Sequence, residues 1–150
     1  MERRFSAAVI IERPPGEVFD WVADHRNVPS VLDGVSRWQP LGTQTQGRGA
    51  RFDVEMQALG FPLSTALVLD TWDRPRAIGW HSAPGHMPQS GTWRFRPVRG
   101  GTELSLMVTY NPPGGALAGL VAGRVEGHVR ARLEEALERV KAILEDQPGS

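Results

Sequence analysis

The chain has 150 residues, 40% of them hydrophobic, and its 17 basic and 17 acidic side chains give a formal net charge of zero at pH 7. That length and apolar content suit one domain with a sizeable core, and the balanced charge gives no electrostatic reason to expect nucleic acid or an acidic partner. The absence of cysteine excludes disulfides, thiolate catalysis and Cys-ligated zinc.

The opening MERRFSAAVIIERPP has the order of a signal peptide, but its apolar stretch is short, ends at Glu12 and precedes no small-residue cleavage site. No run reaches membrane-spanning length. The expectation is a cytoplasmic protein without stable membrane insertion.

Residues 4–12 form a β-branched run that reads as a first strand. Pro14, Pro15 and Gly16 punctuate it. Pro15 in the first helical position and Glu17 in the first turn then open a helix carrying Val18, Phe19, Trp21 and Val22. Residues 24–27 break that helix, and Val28, Pro29 and Ser30 restart a second short one that ends near Gly34. Strands are expected over 35–41, 50–59, 61–72, 77–82, 89–97 and 102–110, separated by Gly, Pro and Asp turn signals. Within 50–59, Phe52, Val54, Met56 and Ala58 alternate with Arg51, Asp53, Glu55 and Gln57. Trp93 and Phe95 oppose Thr92, Arg94 and Arg96, and Leu104, Leu106, Val108 and Tyr110 share a face of the last strand. Consecutive strands with short turns imply an antiparallel sheet with one apolar and one polar face.

The segment 114–145 is proline-free and spans about 45 Å as a helix. Ala118, Val121, Ala122, Val125, Val129, Leu133, Ala136, Leu137, Val140, Ile143 and Leu144 form one apolar stripe along it. Glu126–Arg130 and Glu135–Arg139 stand at favourable i,i+4 spacing. Its first half is apolar nearly all round and carries Gly119, Gly123 and Gly127, each costing ~1 kcal/mol against alanine. Such a half suits a cover over something apolar, or close packing on the core. The long helix is the natural partner of the apolar sheet face. No repeat or linker interrupts the chain, so residues 1–150 are expected to be one domain.

The opening strand into PPGEVFDWVADHRNVPSVLDGV, the strand RFDVEM, the strand GTWRFRPV, the strand GTELSL and the terminal helix together make this chain resemble the START-like superfamily, also called SRPBCC or helix-grip proteins. Within it the polyketide cyclase/dehydrase and lipid-transport family is the nearest in kind, and the resemblance covers essentially the whole chain. It implies an α+β helix-grip fold: a curved antiparallel sheet of about seven strands around a long C-terminal helix, with two short helices after the first strand. It also implies an apolar cavity between sheet and helix. Phe52, Val54, Met56, Leu67, Trp80, Trp93, Phe95, Leu106, Val108 and Tyr110 are expected on its concave wall, with Leu117, Val121 and Val125 above them.

Proton shuttling or enolate stabilisation inside such walls needs His, Tyr, Arg or a carboxylate. Tyr110 is the only tyrosine and lies on the inward register; Arg132 and Glu126 fall about 60° either side of the helix stripe, and His128 borders it. Arg124 lies in the covering half, and His86 sits in a loop expected at the cavity mouth. His81 alternates outward, and His25 is expected to cap or pack at the corner between the short helices. No HExxH, GxSxG or phosphate-binding glycine loop occurs, and Gly47-Arg48-Gly49 lacks the third glycine of a dinucleotide site, so neither metal nor cofactor is expected. Arg94, Arg96 and Arg99 face Glu103 on a solvated surface and do not suggest nucleic acid.

The leading expectation is a carrier or sensor for a small hydrophobic or amphipathic ligand: a lipid, an isoprenoid or a polyketide. The alternative is a polyketide cyclase/dehydrase-type enzyme using Tyr110, Arg132 or His128, with Arg124 as a further candidate. A third reading makes the helix front or the polar sheet face a docking surface for a partner or a second copy, as in a homodimer.

Overall fold

The computed structural model describes residues 3–58, 61–85, 88–110 and 118–147; the side chains of 58, 61–63 and 118–126 lie outside that description. Strand β1 (Arg3–Ile11) leads into helix α1 (Pro15–Ala23), a 3-10 turn (His25–Asn27) and helix α2 (Val28–Val31). Strands β2 (Val35–Pro40), β3 (Arg51–Ala58), β4 (Phe61–Asp73), β5 (Ala77–Ser82), β6 (Gln89–Val98) and β7 (Gly101–Tyr110) follow, and helix α3 (Ala118–Asp146) closes the chain. The strands form one antiparallel sheet ordered β1-β7-β6-β5-β4-β3-β2. Six of them run as a meander, and β1 returns to pair along its whole length with β7, from Arg3 opposite Tyr110 to Ile11 opposite Thr102. This is the seven-stranded helix-grip architecture.

Each corner helix forms for a local reason. Pro15 occupies the first turn of α1, where a missing N–H leaves nothing unsatisfied, and Glu17 faces the positive end of the helix. Asp24 ends the helix by accepting from the Arg26 amide at 3.0 Å, and the Asn27 amide group donates back to the Trp21 carbonyl at 2.8 Å. These two bonds fold the chain sharply over the sheet. Phe19 anchors α1 there, edge-on to Trp72 at 5.4 Å and tilted against Phe95 at 5.1 Å.

Helix α3 packs its second half as the stripe requires. Leu133, Ala136, Leu137, Val140 and Leu144 are buried, and with Phe5, Ile11, Val18, Phe19, Phe95, Leu104 and Leu106 most of them build the main core. Each such fully buried side chain contributes about 1.5–3 kcal/mol by transfer from water. Polar ties fix the helix at its edges. Arg139 reaches Asp33 through both guanidinium nitrogens, at 2.7 and 3.0 Å, rather than the Glu135 one turn away. Lys141 donates to the Ile10 carbonyl at 2.8 Å, and the Glu145 carboxylate accepts from the Glu12 amide at 2.8 Å.

Two β-bulges set which side chains face inward. Leu69 opposes Trp80 while Thr71 opposes Gly79, so Asp70 is an extra residue in β4. Val35 opposes Met56 while Arg37 opposes Glu55, so Ser36 is an extra residue in β2. An extra residue reverses the face of everything after it. Trp72 and Trp38 therefore turn to the concave side, where strict alternation from Leu69 and Val35 would have placed Thr71 and Arg37.

Candidate functional site

The concave layer contains a pocket of about 60 Å³ between the corner helices and strands β2 to β6, with Val140 of α3 at its edge. All five tryptophans of the chain line it: Trp21 from α1, Trp38 from β2, Trp72 from β4, Trp80 from β5 and Trp93 from β6. Phe52, Leu69, Ile78, Val31 and Leu32 complete most of the apolar wall. Its polar lining among the described residues is His25, Asn27 and Thr45. The wall is tied together across strands, since Trp38 opposes Val54, Trp72 opposes Ile78, Ile78 opposes Trp93, and Trp80 opposes Gly91. Gly91 leaves room there for the six-membered ring of Trp80, which a Cβ at that position would force to move.

Two buried polar atoms on this layer have no hydrogen-bond partner among the described residues. His25 Nδ1 is one; its ring sits 5.7 Å from that of Phe52. Thr65 Oγ1 is the other, on a side chain only 7% exposed that shares its face of β4 with Leu67 and Leu69. Leaving such a group unpaired costs ~1–3 kcal/mol, a penalty that a polar atom of a bound molecule would relieve. The neighbours of His25 are already engaged. Asp24 takes bonds from the Arg26 side chain at 2.9 and 2.7 Å, which hold its carboxyl down at a pKa of about 2. The Asn27 amide group is bonded to Trp21.

Of the residues expected on the concave wall, Phe52, Trp80 and Trp93 line this pocket. Val54, Leu67, Phe95 and Leu106 are buried in the core beside it, Met56 is half-buried, and Val108 and Tyr110 pack partly exposed against the core. Tyr110 stacks on Phe5 at 5.8 Å and does not line the pocket. His86 and Leu117 lie outside the described residues, as do the side chains of Val121, Arg124 and Val125. The described pocket lies under the corner helices.

Two of the expected acid–base candidates lie on the described part of α3. The side chain of His128 is exposed, about 140° around the helix from the buried Leu133. Arg132 does not reach a cavity carbonyl; its Nη1 donates to the Gln57 backbone carbonyl at 2.9 Å. Its guanidinium lies against Gly34, whose φ of +85° and tight surroundings leave no room for a side chain. Arg132 thus latches α3 to the end of β3.

Trp21, Trp38, Trp72 and His25 were not among the expected wall residues. One signal for Trp21 was present, since the short α1 carries apolar residues at 18, 19, 21 and 22, more than one packed face needs. Among the described residues no group of three or more His, Asp or Glu side chains is arranged to hold a metal ion. No described helix is long and apolar enough to cross a membrane.

Comparison with known proteins places this geometry in context. Three solved structures resemble the chain closely in fold. TTHA0849 from Thermus thermophilus superposes with a TM-score of 0.82 at 21% identity, covering 97% of this chain and 100% of that one. DR_A0006 from Deinococcus radiodurans gives 0.70 at 25% identity over 95% and 97% of the two chains. The Zhui aromatase/cyclase from Streptomyces sp. R1128 gives 0.73 at 19% identity over 97% and 94%. Among curated protein sequences none matches. The family described as "Polyketide cyclase / dehydrase and lipid transport" matches residues 2–145. The chain belongs to that polyketide cyclase/dehydrase and lipid-transport family.

Proposed function

We propose that this protein, acting as one START-like domain in the cytoplasm, binds a small hydrophobic or amphipathic molecule of lipid, isoprenoid or polyketide type on the concave face of its sheet, as a carrier or sensor. The observation that carries the reading is the convergence of all five tryptophans, from five different elements, on one pocket. A core needs apolar volume, and smaller side chains supply it without indole N–H groups to satisfy. His25, which lines the pocket and whose Nδ1 has no hydrogen-bond partner among the described residues, supports the same reading.

The second reading is a cyclase/dehydrase-type enzyme, favoured by the family and by relatives named as aromatase/cyclases. In this chain Tyr110, Arg132 and His128 are respectively stacked on Phe5, bonded to backbone and exposed. Among the described residues His25 is the imidazole that lines the pocket, and it is the further candidate for an acid–base role.

The test is native mass spectrometry of the full chain purified from its own host, followed by titration with a hydrophobic dye read through tryptophan fluorescence. A co-purifying apolar molecule, or a saturable dye site at one per chain, is the expected result. A protein that carries nothing and leaves its tryptophan emission unchanged at saturating dye overturns the binding reading.

A further inference from the structure

We propose that a second site, an open groove between the start of α1, the β4–β5 turn and β6, binds a small soluble phosphomonoester with an apolar body. The groove shares no lining residue with the tryptophan-lined pocket, so the inference does not depend on the binding reading above.

The groove has the size and the rigidity of a binding site. It holds about 480 Å³, within the roughly 300–1,000 Å³ usual for small-molecule sites. Its apolar lining is Pro15 from α1, Pro75 from the β4–β5 turn, and Phe95 and Pro97 from β6. A proline ring fixes its own φ, so such a wall loses little freedom when a guest arrives. Arg74 of the turn donates to both carboxylate oxygens of Asp20 in α1, each at 2.8 Å, and so ties two sides of the groove together.

The rest of the lining is Arg76, Arg94 and Arg96, with no acidic side chain among the lining residues. Arg94 and Arg96 are alternate residues of β6, so they share a face at a spacing of roughly 7 Å. The Phe95 amide donates to the Arg76 carbonyl at 2.9 Å, which brings Arg76 alongside the same stretch. Arg94 is exposed, and its side chain has no ion pair or hydrogen bond among the described residues. Arg76 and Arg96 are held only by exposed pairs, to Asp73 at 3.3 Å and Glu103 at 3.0 Å. Pairs of that kind contribute little and yield to a stronger acceptor.

The arginines argue for phosphate over carboxylate. A phosphomonoester brings close to two negative charges and three acceptor oxygens, enough to engage three guanidinium groups. A carboxylate brings one charge and two oxygens. The guanidinium fork also matches phosphate geometry, giving paired, charge-assisted hydrogen bonds. The proline wall argues for an apolar body on the ester, which free phosphate lacks.

The experiment titrates the full chain with butyl phosphate, inorganic phosphate and pentanoate by calorimetry, in a phosphate-free buffer of low ionic strength. The expected result is one butyl phosphate site per chain, about fivefold tighter than inorganic phosphate through the part-buried butyl group. Pentanoate should bind about tenfold more weakly than butyl phosphate. Arg94→Ala should weaken butyl phosphate about tenfold, the loss of one charged hydrogen-bonding group. Arg94→Lys, which keeps the charge but not the fork, should weaken it less. Neither variant should change the melting temperature of the free protein or dye binding at the tryptophan pocket. Absence of saturable butyl phosphate binding overturns the proposal, as does equal affinity for inorganic phosphate or an affinity that Arg94→Ala leaves unchanged. Competition between butyl phosphate and the dye would move the ester to the tryptophan pocket, overturning this inference and leaving the binding reading in place. Butyl phosphate binding that depends on Arg94 in a protein that binds no dye would support this inference while the binding reading fell.

Discussion

Replacing Gly91 by alanine tests the packing that shapes the pocket. A methyl group there would sit 2.7 Å from Trp80 Cε2 and closer still to Cζ2 and Cη2. Carbon atoms in contact settle at about 3.5–4.0 Å, so the indole edge must retreat by roughly 1 Å or more. The obstructing atoms belong to a side chain, so the ring moves rather than the sheet. Overpacking of this kind costs about 1–3 kcal/mol, offset by roughly 0.5–1 kcal/mol because alanine is the better strand residue. A net loss of about 1–2 kcal/mol follows, which for a chain of this size lowers the melting temperature by about 2–8 °C. Trp80 also lines the pocket, so the same change alters dye binding. The assay is urea unfolding of four proteins: the parent, Gly91→Ala, Trp80→Leu and the double variant. With Trp80 removed, Gly91→Ala should become neutral or stabilising, giving a coupling energy of about 1 kcal/mol or more. An equal loss in both backgrounds would refute the contact as the cause, and no loss in the parent would refute the packing itself.

Two further outcomes follow from the same structure. Thr65→Val removes a buried hydroxyl that has no partner among the described residues and keeps the side-chain shape, so it should stabilise the protein by about 1 kcal/mol. Thermal unfolding checks the sign, and a destabilised variant would mean that the hydroxyl is bonded in solution. The second outcome concerns acid. Asp24, Asp20, Asp33 and Glu145 are held below the ordinary carboxylate range chiefly by hydrogen bonds from Arg26, Arg74, Arg139 and Lys141. As pH falls the unfolded chain takes up those protons first, so the associated stability is present above the unfolded values of 3.8 for Asp and 4.5 for Glu. It is lost on acidification towards about 2, where Asp24 titrates in the folded protein. Melting temperature measured from pH 6 to pH 2 should hold and then fall through that window, less steeply in Asp33→Asn; a flat profile would contradict the assignment.

The strands and the long helix were legible because their signals are local. Period-two alternation around Phe52, Trp93 and Leu106, and turn residues such as Gly100 and Gly101, define strands whatever lies across from them. The stripe through Leu133, Leu137, Val140 and Leu144 defines the buried side of α3 in the same way, and the chain order β, two short helices, strands, long helix already contained the fold.

The site was less legible. Trp38 and Trp72 face inward only because Ser36 and Asp70 are extra residues in their strands, and a bulge is a mismatch between two paired strands that neither records alone. His25 reads equally as a cap or a packing residue, and only the sheet decides for packing by bringing Phe52 against it, with Nδ1 lacking a partner among the described residues. Arg132 reads as free to enter a cavity until the end of β3 offers it a carbonyl, and Arg139 reads as a partner for Glu135 until Asp33 arrives from α2's end. The sequence by itself determined which segments are strands and helices and which helix face is buried, because those depend on the spacing of side chains along one segment. Only the tertiary structure decided which tryptophans share a pocket and which buried polar atoms have no partner among the described residues, because register, bulges and hydrogen-bond partners arise between segments distant in the chain.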